Sequence, residues 1–138
     1  MTAAVPVLVH GIDLVDFARI EAMMTEHGER FLNRVFTQRE RDEAQSRRRP
    51  VERLAGRFAA KEAVFKLIGT GWRSGMAWTE IEVTNGPLGE PVVHLTGRVK
   101  EQAAAMGIAH IALSITHTAD FAIASAMALR RPDEHPNV

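Results

Sequence analysis

The chain has 138 residues, 46% hydrophobic and 25% charged, with 17 lysines and arginines against 17 acids; this is enough apolar material for one core and no bulk charge for coating nucleic acid. It has no cysteine, which excludes disulfides, thiolate zinc sites and cysteine nucleophiles and suits a reducing compartment. No apolar run approaches the roughly 18 residues of a membrane span, and no signal-type stretch opens the sequence, so a cytoplasmic protein without membrane or nucleic-acid partners is expected.

In chain order the elements predict a single α+β domain over residues 1–129 and a disordered tail over 130–138. Residues 5–13 form an apolar, β-rich run that reads as a strand, and Phe17, Ile20, Met23 and Met24 give helical spacing over 17–24. A short helical segment follows at 29–35, and Thr37-Gln-Arg-Glu40 is a capping-box pattern that opens a helix reaching Ser46. The longest helix starts at Pro50-Val51 and runs to Ile68, rich in alanine, leucine, lysine and glutamate, with Gly69 and Gly71 at its exit. At about 100° per residue, Leu54, Phe58, Phe65 and Ile68 share a stripe. Ala55, Ala59 and Ala63 make a flank open to close approach, with Glu62 and Lys66 beside it. Runs at 78–84 and 92–95 form a hairpin around the turn at 85–91. A helix at 99–106 ends at Gly107, and strands at 108–115 and 121–129 are joined around His117 to Asp120.

Charges inside the long helix need a reason. Arg57, Lys61 and Lys66 set three cations beside one carboxylate, Glu62. Glu62 and Lys66 alone are explained most simply as a solvated i,i+4 pair, stabilising by about 0.2–0.5 kcal/mol; the sharper reading is a polyanion site with a metal on Glu62. Asp13 ends an apolar strand, where aspartate is depleted. Either Asp13 or Asp16 caps the next helix, or Asp13 joins Glu62 on one hard cation such as magnesium, which takes one or two carboxylates and completes its shell with water and substrate phosphate. His117, in Ser114-Ile-Thr-His-Thr118, is a local hydrogen-bonding group or part of a site. His10, His94 and His110 carry no motif, and no HxxxH or HExxH spacing exists. The glycines after the long helix lack P-loop order. Arg47-Arg48-Arg49, the densest run in an arginine-rich first half, reads as a solvated loop that could meet a phosphate.

Gly11-Ile-Asp13-Leu-Val, Arg57-Phe-Ala-Ala-Lys-Glu62-Ala-x-x-Lys66-x-x-Gly-Thr-Gly71, Trp78-Thr-Glu-Ile-Glu-Val83 and Ser-Ile-Thr-His117-Thr together resemble the bacterial holo-[acyl-carrier-protein] synthases, the small 4′-phosphopantetheinyl transferases. The resemblance is ordered and spans roughly residues 9–128. It implies a small antiparallel sheet on a long central helix with shorter helices, in a homotrimer with active sites between subunits. It also implies magnesium-dependent transfer of the phosphopantetheine arm of coenzyme A to a serine of apo-acyl carrier protein, releasing adenosine 3′,5′-bisphosphate, as fatty acid synthesis requires.

On this resemblance Asp13 and Glu62 are the magnesium ligands and, with Lys66, the catalytic set. Lys66 matches a lysine at the coenzyme A phosphates, and Arg57 and His117, with Thr118 beside it, match the nucleotide contacts. Lys61 has a provisional place among them, and Arg19 and Arg30 match positions that engage the acidic helix of the carrier. The base for the serine proton is a water on the metal, the preferred reading, or Glu62 itself. Three features depart from the pattern: Thr116 replaces the usual serine, His10 adds an ionisable group beside the metal site, and residues 39–53 match no motif. The competing reading is a noncatalytic module that binds coenzyme A or an acidic protein without a metal.

Overall fold

The computed structural model describes residues 5–69 and 75–132. Ten elements follow in order: β1 (Val7–Asp16), α1 (Phe17–His27), α2 (Glu29–Val35), α3 (Gln38–Gln45), α4 (Pro50–Ile68), β2 (Ile81–Asn85), β3 (Pro91–Leu95), α5 (Gly97–Ala105), β4 (Ala112–His117) and β5 (Phe121–Arg130), with a 3-10 turn at Trp78–Glu80 before β2. Strands β1, β5 and β4 form one antiparallel sheet in that spatial order, and β2 pairs with β3 in a second.

The alternation of β1 sorts its residues by face. Gly11 and Val15 are buried and Asp13 is half-buried on the face that meets α4, whereas Leu8, His10, Ile12 and Leu14 are exposed on the other. In register with the inner set, β5 contributes Ala122, Ala124, Ala126 and Ala128, all buried. Small side chains let the helix come close. At Gly11 the approach is closest: a Cβ there would lie 2.0 Å from the Ala63 carbonyl oxygen and 2.8 Å from the Leu67 amide nitrogen, so only glycine fits.

Thirteen of the 19 residues of α4 are buried. The single apolar stripe expected from the sequence is therefore too narrow, because the helix runs through the middle of the molecule with the sheet, α1, α3 and β2 packed around it. Phe31, Phe36, Phe58, Phe65 and Ile20 fill the space toward the other helices, each large side chain stabilising by about 1.5–3 kcal/mol on burial. Gly69 closes α4 in the left-handed conformation at φ 80°, as a C-terminal glycine should; Gly71 lies outside the described residues.

Several expected boundaries shift. Strand β1 runs on to Asp16 because Leu14, Val15 and Asp16 find partners in Ile123, Ala122 and Phe121. Trp78–Glu80 is a 3-10 turn rather than strand: the Glu80 carboxylate accepts the Ala77 and Arg98 amides, each at 2.9 Å, which curls the chain before β2. Residues 108–111 are not strand apart from one bridge between Ile108 and Arg130, and β4 starts at Ala112. Arg130 closes β5 instead of opening a tail, and the Arg131 amide donates to the Gly107 carbonyl at 3.1 Å; residues 133–138 lie outside the described residues. Among the described residues no helix is long and apolar enough to cross a membrane.

Candidate active site

Between Leu54 and Ile68 every residue of α4 is buried except Glu62 and Lys66. These two form the helix's opening to solvent, but they do not pair with each other. The Lys66 ammonium instead donates to Asp13 Oδ1 at 2.9 Å and to the Ile12 carbonyl at 3.1 Å. Asp13 is not the cap of α1, since Asp16 fills that role by accepting the Ala18 amide at 3.1 Å. The Asp13 side chain is only 13% exposed, and its second oxygen, Oδ2, is buried without a hydrogen-bond partner. Burying an unpaired carboxylate oxygen is costly unless something charged or donating completes it. Burial raises the Glu62 carboxyl above its ordinary value, and the negative charge of Asp13 raises it further, with Arg19 and Lys66 pulling the other way. Two carboxylates that repel each other, one with an orphan oxygen, fit a hard divalent cation and leave coordination positions for water and phosphate. Among the described residues no group of three or more His, Cys, Asp or Glu that could hold a metal occurs.

Glu62 lines a cleft of about 750 Å³, together with Arg19, Arg30, Phe31, Phe58 and Trp78. Both arginines are exposed, and the Arg19 guanidinium lies 5.2 Å from the centre of the Phe58 ring. The structure thus brings the expected carrier-binding arginines and one expected metal ligand to one surface. Arg57 and His117 line a different, smaller cavity of about 130 Å³ with Arg53, Asn85 and Ile115. Arg57 is 4% exposed; its guanidinium donates to Asn85 Oδ1 at 3.1 Å, while its Nε is buried without a partner. Burial lowers its pKa and the nearby Glu43 opposes that. His117 is exposed, with Nδ1 3.3 Å from the Thr118 carbonyl oxygen, and the Thr118 hydroxyl oxygen accepts the Asp120 and Phe121 amides at 3.2 Å each, fixing the turn into β5.

Three expectations fail here. Lys61 holds no ligand: its side chain is fully buried, 2.8 Å from Glu40 Oε1, and its other two protons go to the carbonyls of Trp78 and Ile81. His10 is not beside Asp13, because residues three apart on a strand face opposite ways; it shares a hydrogen bond of 2.9 Å with Ser125 on the outer face. Thr116 likewise points away from the cavity that His117 lines, in register with Ile123 and Leu14. In the unassigned stretch, Glu43 gathers Arg47 at 3.2 Å and Arg53 and stands 3.8 Å from Arg57, and Arg49 pairs with Glu52 at 2.8 Å. Glu43, Arg53 and Asn85 were missed because no periodicity or motif connects residues that meet only across the fold.

The family model for the 4′-phosphopantetheinyl transferase superfamily matches residues 10–126. The chain belongs to this superfamily. It is an enzyme of the phosphopantetheinyl transferase type, similar along most of its length to curated relatives. A holo-[acyl-carrier-protein] synthase of Desulforudis audaxviator is 50% identical over 119 residues, 86% of this chain and 90% of the relative. One from Solibacter usitatus is 42% identical over 114 residues, 83% of this chain and 91% of its own. Among solved transferases, the holo-[acyl-carrier-protein] synthase of Neisseria meningitidis superposes with a TM-score of 0.81 at 32% identity, covering 87% of this chain and 96% of that one. The Helicobacter pylori enzyme in complex with coenzyme A gives 0.76 at 30% identity, covering 86% and 98%. The α+β architecture and the resemblance read from the motifs are thereby established.

Proposed function

We propose that this transferase moves the 4′-phosphopantetheine arm of coenzyme A onto a serine hydroxyl of an apo-acyl carrier protein, with magnesium held by Asp13 and Glu62. The observation that carries this reading is the buried, unpartnered Asp13 Oδ2 beside the raised carboxyl of Glu62 and the ammonium of Lys66. A magnesium ion there would neutralise charge on the pyrophosphate of coenzyme A. Lys66, the exposed cation of the set, shares that load, and Arg57 supplies positive charge for a phosphate of the nucleotide end, with His117 lining the same cavity and Thr118 next to it in sequence. Arg19 and Arg30 face an acidic helix of the carrier across the cleft. The serine oxygen attacks the β-phosphorus, the bond to the bridging oxygen of the α-phosphate breaks, the serine proton passes to solvent, and adenosine 3′,5′-bisphosphate leaves. Positioning and charge neutralisation supply most of the rate in such a transfer.

A homotrimer belongs to the same reading. The outer face of the large sheet carries Leu8, Leu14 and Leu129, which are 59%, 56% and 59% exposed, with Ile12 and Met127 between them. Such a face asks for a cover. The candidate nucleotide cavity and the candidate metal carboxylates also open separately on one chain, as expected if neighbouring copies complete each site. A cytoplasmic setting and a place in fatty acid synthesis accompany the reading.

The test is transfer itself. Purified protein, coenzyme A and a panel of apo-acyl carrier proteins should give carriers heavier by one phosphopantetheine arm, with the gain lost in chelator and restored by magnesium. Glu62→Gln should lower kcat by about 100-fold or more while leaving the fold intact. Coenzyme A binding without transfer to any carrier would instead favour the noncatalytic module.

A further inference from the structure

We infer that the buried pair of Lys61 and Glu40 is a positioning device for Trp78, setting the indole as a wall of the cleft that contains Glu62. The two charges are 2.8 Å apart and both side chains are fully buried. Lys61 also donates to the Trp78 carbonyl at 3.2 Å and to the Ile81 carbonyl, so its three protons are all used. Glu40 accepts the Thr37 amide at 2.9 Å and the Val83 amide at 2.8 Å. One charge pair therefore ties the first turn of α3, the middle of α4, the 3-10 turn and β2.

Stability alone does not explain it. Buried ion pairs can commonly be replaced by apolar residues of similar volume without loss, but an apolar substitute lacks direction. Direction matters here because Lys61 lies between Phe58 and Phe65 on α4, and these two rings carry the indole. Trp78 stacks on Phe58 at 5.1 Å and 21°, and meets Phe65 edge-on at 5.3 Å and 88°. Aromatic faces tolerate a range of offsets, whereas the ammonium–carbonyl bond sets where along the helix the Trp78 backbone stops. The cation also lies 5.7 Å from the centre of the Phe36 ring, a further contact that a neutral substitute would lose. Lys61 directly precedes Glu62, and the Ala63 carbonyl that follows is pressed against Gly11. The rotation of α4 that turns Glu62 toward the cleft is thus held on both sides of that residue.

The chain has two tryptophans, so a Trp72→Phe background leaves Trp78 as the sole indole reporter. Lys61→Met alone strands the Glu40 charge in the core and is expected to unfold; Glu40→Gln combined with Lys61→Met removes both charges and keeps an acceptor for the Val83 amide. The Gln amide has one acceptor oxygen and gives up the Thr37 amide, so this double variant should melt cooperatively but below its parent. Its Trp78 emission should nevertheless move to the red, and acrylamide quenching should rise. The kinetic arm rests on the carrier reading of the cleft: KM for apo-carrier should rise about fivefold or more, with KM for coenzyme A held within about twofold. Unchanged emission and quenching in the folded double variant overturn the inference. A displaced indole with an unaltered carrier KM upholds the positioning and counts instead against the cleft as the carrier surface.

Discussion

Asp13 has two oxygens in two different situations. Oδ1 is bound by Lys66, and Oδ2 is buried with nothing bonded to it. Its charge also reaches Glu62, whose carboxyl stands above the ordinary value of 4.5 chiefly through burial and then through that charge. The folded chain therefore holds the Glu62 proton more tightly than the unfolded chain does. The resulting stabilisation is complete below the unfolded pKa and is lost as pH rises through the folded one. Glu62→Gln should thus melt above its parent at pH 7 in chelator, with the difference shrinking toward pH 4; equal melting temperatures at both pH values would sink this account. Asp13 stood out in the sequence as an aspartate in an apolar strand, whereas Glu62 and Lys66 read first as a solvated pair and were singled out only by the family motif. Lys61 was misread because its partner, Glu40, lies 21 residues earlier on another helix, and nothing local shows which cation of a helix turns inward. His10 and Thr116 are a different kind of miss, since strand alternation already places them opposite Asp13 and His117.

At the scale of elements, the decisive contact is α4 on β1. Gly11 permits it, and Asp13, two residues along the same face, is carried to Lys66 and into the field of Glu62 as a result. Gly11→Ala should therefore cost about 1–3 kcal/mol in urea denaturation, the range for overpacking a filled core. An unchanged midpoint would mean that the helix does not press on the strand there. The long helix, the capping box at Thr37, the hairpin and the helix after it were all legible, because periodicity and end signals are local. The 3-10 turn at Trp78 was not, since Glu80 and Lys61 impose it through bonds to Arg98 and to the Trp78 carbonyl from distant parts of the chain.

At the scale of the whole molecule, the large sheet separates two roles. One face receives α4 and the candidate catalytic carboxylate; the other is the apolar surface that the homotrimer reading covers. Leu14→Asp, which puts a charge on that outer face, should shift sedimentation toward the monomer while leaving the circular dichroism of the fold intact. A trimer that persists would place the assembly surface elsewhere. Overall fold class and family were legible from ordered motifs spread along most of the chain. The division of the site between two cavities was not, because spacing along a sequence does not say which way each face opens.

Strand β1 is where these roles share a backbone, with Gly11 and Asp13 on one side and Ile12 and Leu14 on the other. A one-residue slip would exchange the two sets, turning the carboxylate outward and pressing isoleucine and leucine into the backbone of α4. Inheritable changes of length in this strand should therefore be tolerated only in steps of two residues, and any single-residue insertion that survives should carry a compensating bulge.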